Sequence, residues 1–423
     1  MIADTALAAF LLFVALYPVV SAGLWIGGAL VFRIADEPLE PAEQLRPWPG
    51  VTILIPAFNE ERVIETCIRA ALGSDYPTLE VLLFDDGSRD QTSKVAEAAA
   101  RGDSRLKVVT EDVNRGKATR LNDGFRAARH ELVVVIDADT QLHPQAVRLL
   151  TAHISRSPLL AAVAGGPHVT NRGNLLCAMQ VLEAASIIGL IRRTQAVAGH
   201  VGVVAGVLGV FRREAVRDVG GFDPTMATED IDLTWRLLLA GWRTSYEPAA
   251  LVGMEVPSTL RALWAQRRRW ARGQGEVLHA HLSAISRWSQ RGLWPMAIEA
   301  VSSLLWMVLL AASVALAAIS VAAGASVPVV PLALAWGVAS SVVATLQLTF
   351  ALHLGFRHDS RALLVFVLGP LFPLAYWWIS ALAALRDELP ALFRGPSHKQ
   401  VVWDIPRDQR DQASGAAASD SQR

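Results

Sequence analysis

Residues 6 to 32 carry no charged side chain, and a run of 27 residues is long enough to cross a bilayer with some tilt. The chain begins "MIADT", without the basic segment of a secretory signal, so the run reads as a retained transmembrane helix followed by Arg33. Three further apolar tracts follow a charged middle region: 293 to 321, about 328 to 354, and 362 to 385. The expected organisation is a helix and linker over 1–45, a soluble domain over 46–255, interfacial helices over 256–290, three transmembrane helices over 291–386, and a tail over 387–423. Glu299 falls inside the first of the later tracts, where a carboxylate should face protein or an aqueous path. Arg357 and Arg361 lie between the last two tracts and assign that loop, and with it the middle domain, to the cytoplasm. Counting helices then carries the tail outside, although it holds Arg386, Arg394 and Lys399. From Gln412 onward the small and polar composition reads as disorder.

The 39 basic and 39 acidic residues cancel, which gives no footprint for a nucleic-acid partner. Only two cysteines, Cys67 and Cys177, are present, without metal spacing; they read as buried thiols.

Between 50 and 140 apolar strand-like runs alternate with segments of helical spacing. "VTILIPAFNEE", "LEVLLFDDGS", "LKVVTED" and "ELVVVIDADT" are the strands, and the intervening helices include one that starts near Asp90. This alternation predicts a parallel, doubly wound α/β sheet, whose ligands bind beyond the carboxyl ends of the strands. The polar clusters fall there: Pro56 with Asn59 and Glu60, Asp85 with Asp86, and Asp137 with Asp139. Any one of these also suits an ordinary turn. Several acidic strand ends on one sheet edge need an offsetting charge, which a divalent cation or a donor-rich ligand supplies. Asp137 and Asp139 are two apart on an extended chain and share a side, as a site for magnesium or manganese with a diphosphate requires. "NRGK" precedes a helix; Gly116 permits close backbone approach, and Lys117 can meet a phosphate or belong to a surface turn.

"TEDIDLTWRLLLAGW" puts Glu229 and Asp230 at a helix start, either as acids suited to the helix dipole behind a Thr228 cap or as a rigidly held base. "STLRALWAQRRRWARGQGEVL" is helical, with Leu260, Leu263, Trp264 and Arg267 near one face. Its arginines suit lipid headgroups, and Arg269 also suits a two-pronged phosphate contact.

Taken in order, "DDGS", "DAD", "TED" and "QRRRW", followed by apolar helices, resemble the processive membrane glycosyltransferases of family two, among them cellulose, chitin and hyaluronan synthases. The segment "EAASIIGLIRRTQAVAGHVGVVAGVLGVFRREAVRDVGGFD" is most similar to the biofilm-type poly-N-acetylglucosamine synthases, although one helix rather than two precedes the domain. The resemblance implies a GT-A fold joined to transmembrane helices in the bacterial inner membrane. It implies inverting, processive transfer from a UDP-sugar to a polysaccharide acceptor, with Mg2+ or Mn2+ and a small membrane partner subunit. It assigns Asp85 to the uridine, Asp139 to the metal with Asp137 beside it, Asp230 to general base catalysis, and Gln266, Arg269 and Trp270 to the diphosphate and acceptor. A single-sugar transfer to a lipid, or synthesis of another polymer, shares the same donor motifs and stays open. So does a non-catalytic nucleotide-sugar receptor, which the intact acids and Arg269 argue against.

Overall fold

The computed structural model describes residues 2–35, 37, 47–171, 173–184, 188–204, 206–324, 329–355, 369, 376–397 and 399–402. The loop at 356–361, most of the tract at 362–385 and the end of the tail lie outside the described residues.

The middle region is an eight-stranded sheet. Its strands are β1 (Val51–Ala57), β2 (Leu79–Asp85), β3 (Leu106–Thr110), β4 (Leu132–Ile136), β5 (Gln141–Leu142), β6 (Leu160–Val169), β7 (Leu208–Arg212) and β8 (Arg243–Met254), in the order β3-β2-β1-β4-β7-β6-β8-β5. The helices in chain order are α1 (Ile2–Ala35), α2 (Ile64–Leu72), α3 (Thr92–Ala100), α4 (Lys117–Ala127), α5 (Ala146–Ile154), α6 (Leu175–Glu183), α7 (Gly189–Val197), α8 (Arg213–Asp218), α9 (Glu229–Leu239), α10 (Leu260–Ile285), α11 (Trp294–Ala322), α12 (Val329–Gly355), α13 (Trp377–Ala383) and α14 (Leu389–Arg394).

Alternation along each strand builds two cores. Ile53 and Ile55 of β1 face α2, α3 and α5 with Ile68, Ala96 and Leu150. Leu54 between them faces α4 and α9 with Leu121, Phe125 and Leu237. Both faces are covered, so the strands read as continuous apolar runs.

The four strands expected to be parallel are so: β1 pairs in parallel with β2 and β4, and β2 with β3. The sheet as a whole is mixed, which corrects the expectation of a parallel one: β7 runs antiparallel to β4 and to β6. A five-residue apolar run pairs in either direction, so alternation carries no information about this reversal. Its consequence is functional. Ile136, the last residue of β4, stands opposite Leu208, the first of β7. The segment entering β7 is thereby delivered to Asp137.

At α3 the cap position is Gln91, and Asp90 sits just outside, accepting the Thr92 backbone N–H at 3.0 Å. Both cysteines are free and buried, as their spacing predicts.

Among the described residues two helices are long and apolar enough to cross a membrane, Leu12–Ala35 within α1 and Trp288–Ala322, the latter including α11; Val338–Leu354 within α12 is apolar but shorter. Leu24, Val31 and Ile34 on α1, and Ile298, Ile319 and Val321 on α11, are exposed, unlike the side chains of a buried core helix. Glu37, just beyond α1, pairs with Arg33 at 2.6 Å and with Arg193 of α7 at 2.9 Å, tying the first helix to the domain. Glu299 faces protein as expected, near Tyr17 and Glu388.

α10 joins the two parts of the molecule. Leu263 packs with Cys177, Leu182, Leu348 and Tyr376, while Val277 and Leu278 pack with Trp235 of α9 and Met296 of α11. Beyond α14 the chain returns to the sheet domain. Gln400 Nε2 donates to the Arg115 carbonyl and, at 2.7 Å, to Thr119 Oγ1, and Val401 N–H donates to the Pro224 carbonyl at 2.8 Å.

Candidate active site

The carboxyl ends of β1, β2 and β4, the start of α4 and the start of α9 meet at one edge of the sheet. Lys117, first residue of α4, is the centre. Its Nζ lies 2.5 Å from Asp137 Oδ1 and 3.6 Å from Glu229 Oε1. Burial alone would lower the Lys117 pKa; the carboxylates of Asp137, Glu229 and Asp230 reverse this and raise it, so the ammonium stays charged. Burial raises the pKa of Glu229, the Lys117 charge opposes that, and Asp230 and Asp137 raise it further. One Asp230 carboxylate oxygen, Oδ2, accepts the backbone N–H of Gly206 at 3.3 Å.

Gly206 carries no motif and sequence reasoning passes over it. A Cβ there would lie 2.6 Å from Lys117 Nζ and 3.6 Å from Asp137 Oδ1. A side chain there would force the flexible end of Lys117 to shift, while Asp137 would stay at ordinary contact distance. Gly206→Ala is expected to displace Lys117 from Asp137. Loss of one charged hydrogen bond costs about 1.5–3 kcal/mol, a fall of about 10–100-fold in activity. Initial rates of the purified protein check this.

Asp139 and Glu60 belong to the same edge. The Cys67 thiol reaches the Asp137 backbone carbonyl at 3.6 Å, and its pKa is pushed up by burial and then by the charges of Asp139, Asp137 and Glu60. Glu60 N–H donates to Thr92 Oγ1 at 2.7 Å. Asn59 takes a left-handed φ of 56°, which asparagine tolerates, and its Oδ1 accepts the Arg89 N–H at 2.8 Å. Pro56 lies beyond the last β1–β4 pair, Leu54 opposite Val135. Asp85 is buried, with Oδ1 accepting the Ser88 N–H at 2.9 Å and Oδ2 the Ser93 hydroxyl at 2.5 Å.

Asp86 also has a structural part in this edge. Fully buried, it accepts the backbone N–H groups of Arg115 and Gly116 at 2.8 and 2.7 Å and Arg120 Nε at 2.7 Å. Three protein donors occupy its carboxylate, so it shapes the turn that presents Lys117.

The residues of "QRRRW" separate by helical spacing. Arg267 is buried and forms a forked pair with Glu183 at 2.9 and 2.5 Å, donates to Tyr376 Oη at 2.7 Å, and lies over the Trp270 ring at 4.4 Å. Arg268 forks onto Asp387 at 2.7 and 3.0 Å. Both therefore tie α10 to its neighbours, which replaces the lipid-headgroup reading. Arg269 and Trp270 are exposed, and among the described residues Arg269 has no ion-pair partner. The Gln266 side-chain oxygen is buried without a hydrogen bond.

No cluster of three or more His, Cys, Asp or Glu ligands is present among the described residues. A hard cation does not require one here, because Mg2+ and Mn2+ complete their shells with phosphate oxygens and water. Lys117 pairs with Asp137 at this edge.

A mixed sheet covered on both faces, with acids and a charged lysine gathered at one edge, is the architecture of a GT-A glycosyltransferase. The chain belongs to glycosyltransferase family two: the family model described as "Glycosyltransferase like family 2" matches residues 49–273. It is 30% identical over 406 residues to a poly-beta-1,6-N-acetyl-D-glucosamine synthase of Staphylococcus epidermidis, covering 94% of this chain and 97% of that one. A protein of the same name from Staphylococcus aureus strain COL is 36% identical over 303 residues, 70% of this chain and 73% of that one. Among solved structures, the mannosyltransferase PcManGT of Pyrobaculum calidifontis, in complex with GDP-Man and Mn2+, superposes with a TM-score of 0.64. Its identity is 22%, over 86% of this chain and 99% of that one, and it supports the fold.

Proposed function

We propose that this enzyme is a membrane-embedded synthase that transfers N-acetylglucosamine from UDP-N-acetylglucosamine, processively and with inversion, to a growing β-1,6-linked polysaccharide. The observation that carries the reading is the convergence of Lys117, Asp137, Glu229 and Asp230 beside α10, in a chain that matches the Staphylococcus epidermidis synthase almost end to end. The catalytic domain faces the cytoplasm of a bacterial cell, where UDP-sugars are available, and the apolar helices favour export of the product through the inner membrane. A small membrane partner subunit belongs to the same proposal.

In the reaction, an acceptor hydroxyl attacks the anomeric carbon from the face opposite the diphosphate. The new C–O bond forms as the bond to the β-phosphate oxygen breaks, and UDP leaves with the electron pair. The hydroxyl is a weak nucleophile, so Asp230, held by the Gly206 amide, takes its proton. Glu229 and Lys117 set the local charge. Arg269 and Gln266 face the departing diphosphate, and Trp270 offers its ring to the acceptor sugar. Asp85, Asn59, Glu60 and Pro56 frame the nucleotide. When bound at Asp139, Mg2+ or Mn2+ supplies positive charge to the diphosphate. Guanidinium and ammonium groups accelerate the step because charge on the leaving group is greater in the transition state than in the ground state.

Purified protein given UDP-N-acetylglucosamine and Mg2+ or Mn2+ is expected to make a 1,6-linked polymer, read by product size and linkage analysis. A single sugar on a lipid acceptor, or polymer only from another donor, would reject the proposal.

A further inference from the structure

The acids at the start of α9 are not positioned by their own helix cap. Thr228 stands at the cap position, yet its hydroxyl makes no capping hydrogen bond and is buried without a partner. What orients this turn is α10. Glu276, buried on α10, accepts the backbone N–H of Ala227 through Oε2 at 2.9 Å. Its Oε1 accepts Arg272 Nε at 2.7 Å, which holds the carboxylate from its other side. Gly273, one turn earlier on α10, presses against the Thr228 side chain so closely that a Cβ would overlap it. One turn further along each helix, His281 Nε2 meets Asp232 Oδ1 at 2.7 Å. The other Asp232 oxygen is held by Arg236 Nε and Nη2 at 2.8 and 2.6 Å. Three successive levels of α10 thus grip residues 227, 228 and 232, which flank Glu229 and Asp230.

We infer that Glu276 is a positioning residue for the transfer step: it holds the Ala227 amide and so sets Glu229 and Asp230 against the helix that carries Arg269 and Trp270. The base and the groups facing the leaving diphosphate then keep a constant separation, because one rigid helix supports both. The inference rests on the proposed role of Asp230. Its chemistry is geometric, since a displacement of about 1 Å in a reacting group can cost about 10²-fold in rate.

The test uses full-length protein in lipid nanodiscs, with UDP affinity and steady-state transfer measured separately. Glu276→Ala is expected to lower kcat about 10–100-fold, with UDP affinity within about twofold of wild type. Glu276→Gln, whose amide oxygen still accepts the Ala227 N–H, is expected to recover most of the rate. Glu276→Asp keeps the charge but shortens the reach, and is expected to resemble Glu276→Ala; it serves if the alanine variant does not fold. A kcat for Glu276→Ala or Glu276→Asp within twofold of wild type would overturn the inference. So would a loss of rate that follows the loss of UDP-binding-competent protein, or a glutamine variant as impaired as the alanine one. Failure of the wild type to transfer from a UDP-sugar would instead count against the function proposed above.

Discussion

Asp230→Asn is expected to abolish transfer almost completely while leaving nucleotide binding intact. A positioned general base contributes about 10²–10⁴-fold, and the amide cannot take a proton from the acceptor hydroxyl. Asparagine keeps the shape of the side chain and an oxygen that can accept the Gly206 N–H, so the entry into β7 need not move. Glu229 does not replace the lost base. It faces Lys117 at 3.6 Å and is engaged by that charge. The expected result is kcat reduced by about three orders of magnitude with UDP affinity changed by less than threefold. Single-turnover assays and UDP titration check the two halves of this prediction, and residual turnover near wild type would remove Asp230 from the mechanism.

Arg269→Lys has the second largest expected effect. Arg267 and Arg268 are committed to Glu183 and Asp387, and among the described residues Arg269 alone of the three arginines lacks an ion-pair partner. A guanidinium fork can hold two phosphate oxygens at once, and an ammonium cannot reproduce that geometry. Removing one preorganised donor from a developing anion costs about 10²–10³-fold. The lysine variant is expected to lose about 10²-fold in kcat, with thermal stability unchanged because the side chain carries no structural pair. Arg267→Lys should behave in the opposite sense. It loosens the fork on Glu183 and lowers the unfolding temperature, and its loss of rate should be the smaller of the two.

The parallel half of the sheet was legible because each strand is an apolar run closed by polar residues, and each helix after it has an apolar face. Asp137, Lys117, Glu229 and Asp230 were legible as candidates because unusual acids and "NRGK" mark the strand ends. The approach of the segment before β7 was not legible, since it depends on β7 running antiparallel to β4, and pairing direction leaves no trace in a five-residue run such as "LGVFR". Gly206 was invisible for the same reason: its role comes from what surrounds it. Asp85 and Asp86 are adjacent and both buried, and the pairing of Asp86 with Arg120, 34 residues on, leaves no mark in the sequence. The division of labour among the three arginines depends on Glu183 and Asp387, far away along the chain on either side.

In the proposed site, Asp139 and the acids beside Lys117 bind cation and nucleotide together. Electron paramagnetic resonance of Mn2+ titrated into the protein with and without UDP tests it most directly. Wild-type protein is expected to bind Mn2+ tightly only when UDP is present, and Asp139→Asn to lose this ternary signal while keeping its fold. UDP binding that is independent of Mn2+ and indifferent to Asp139→Asn would contradict it.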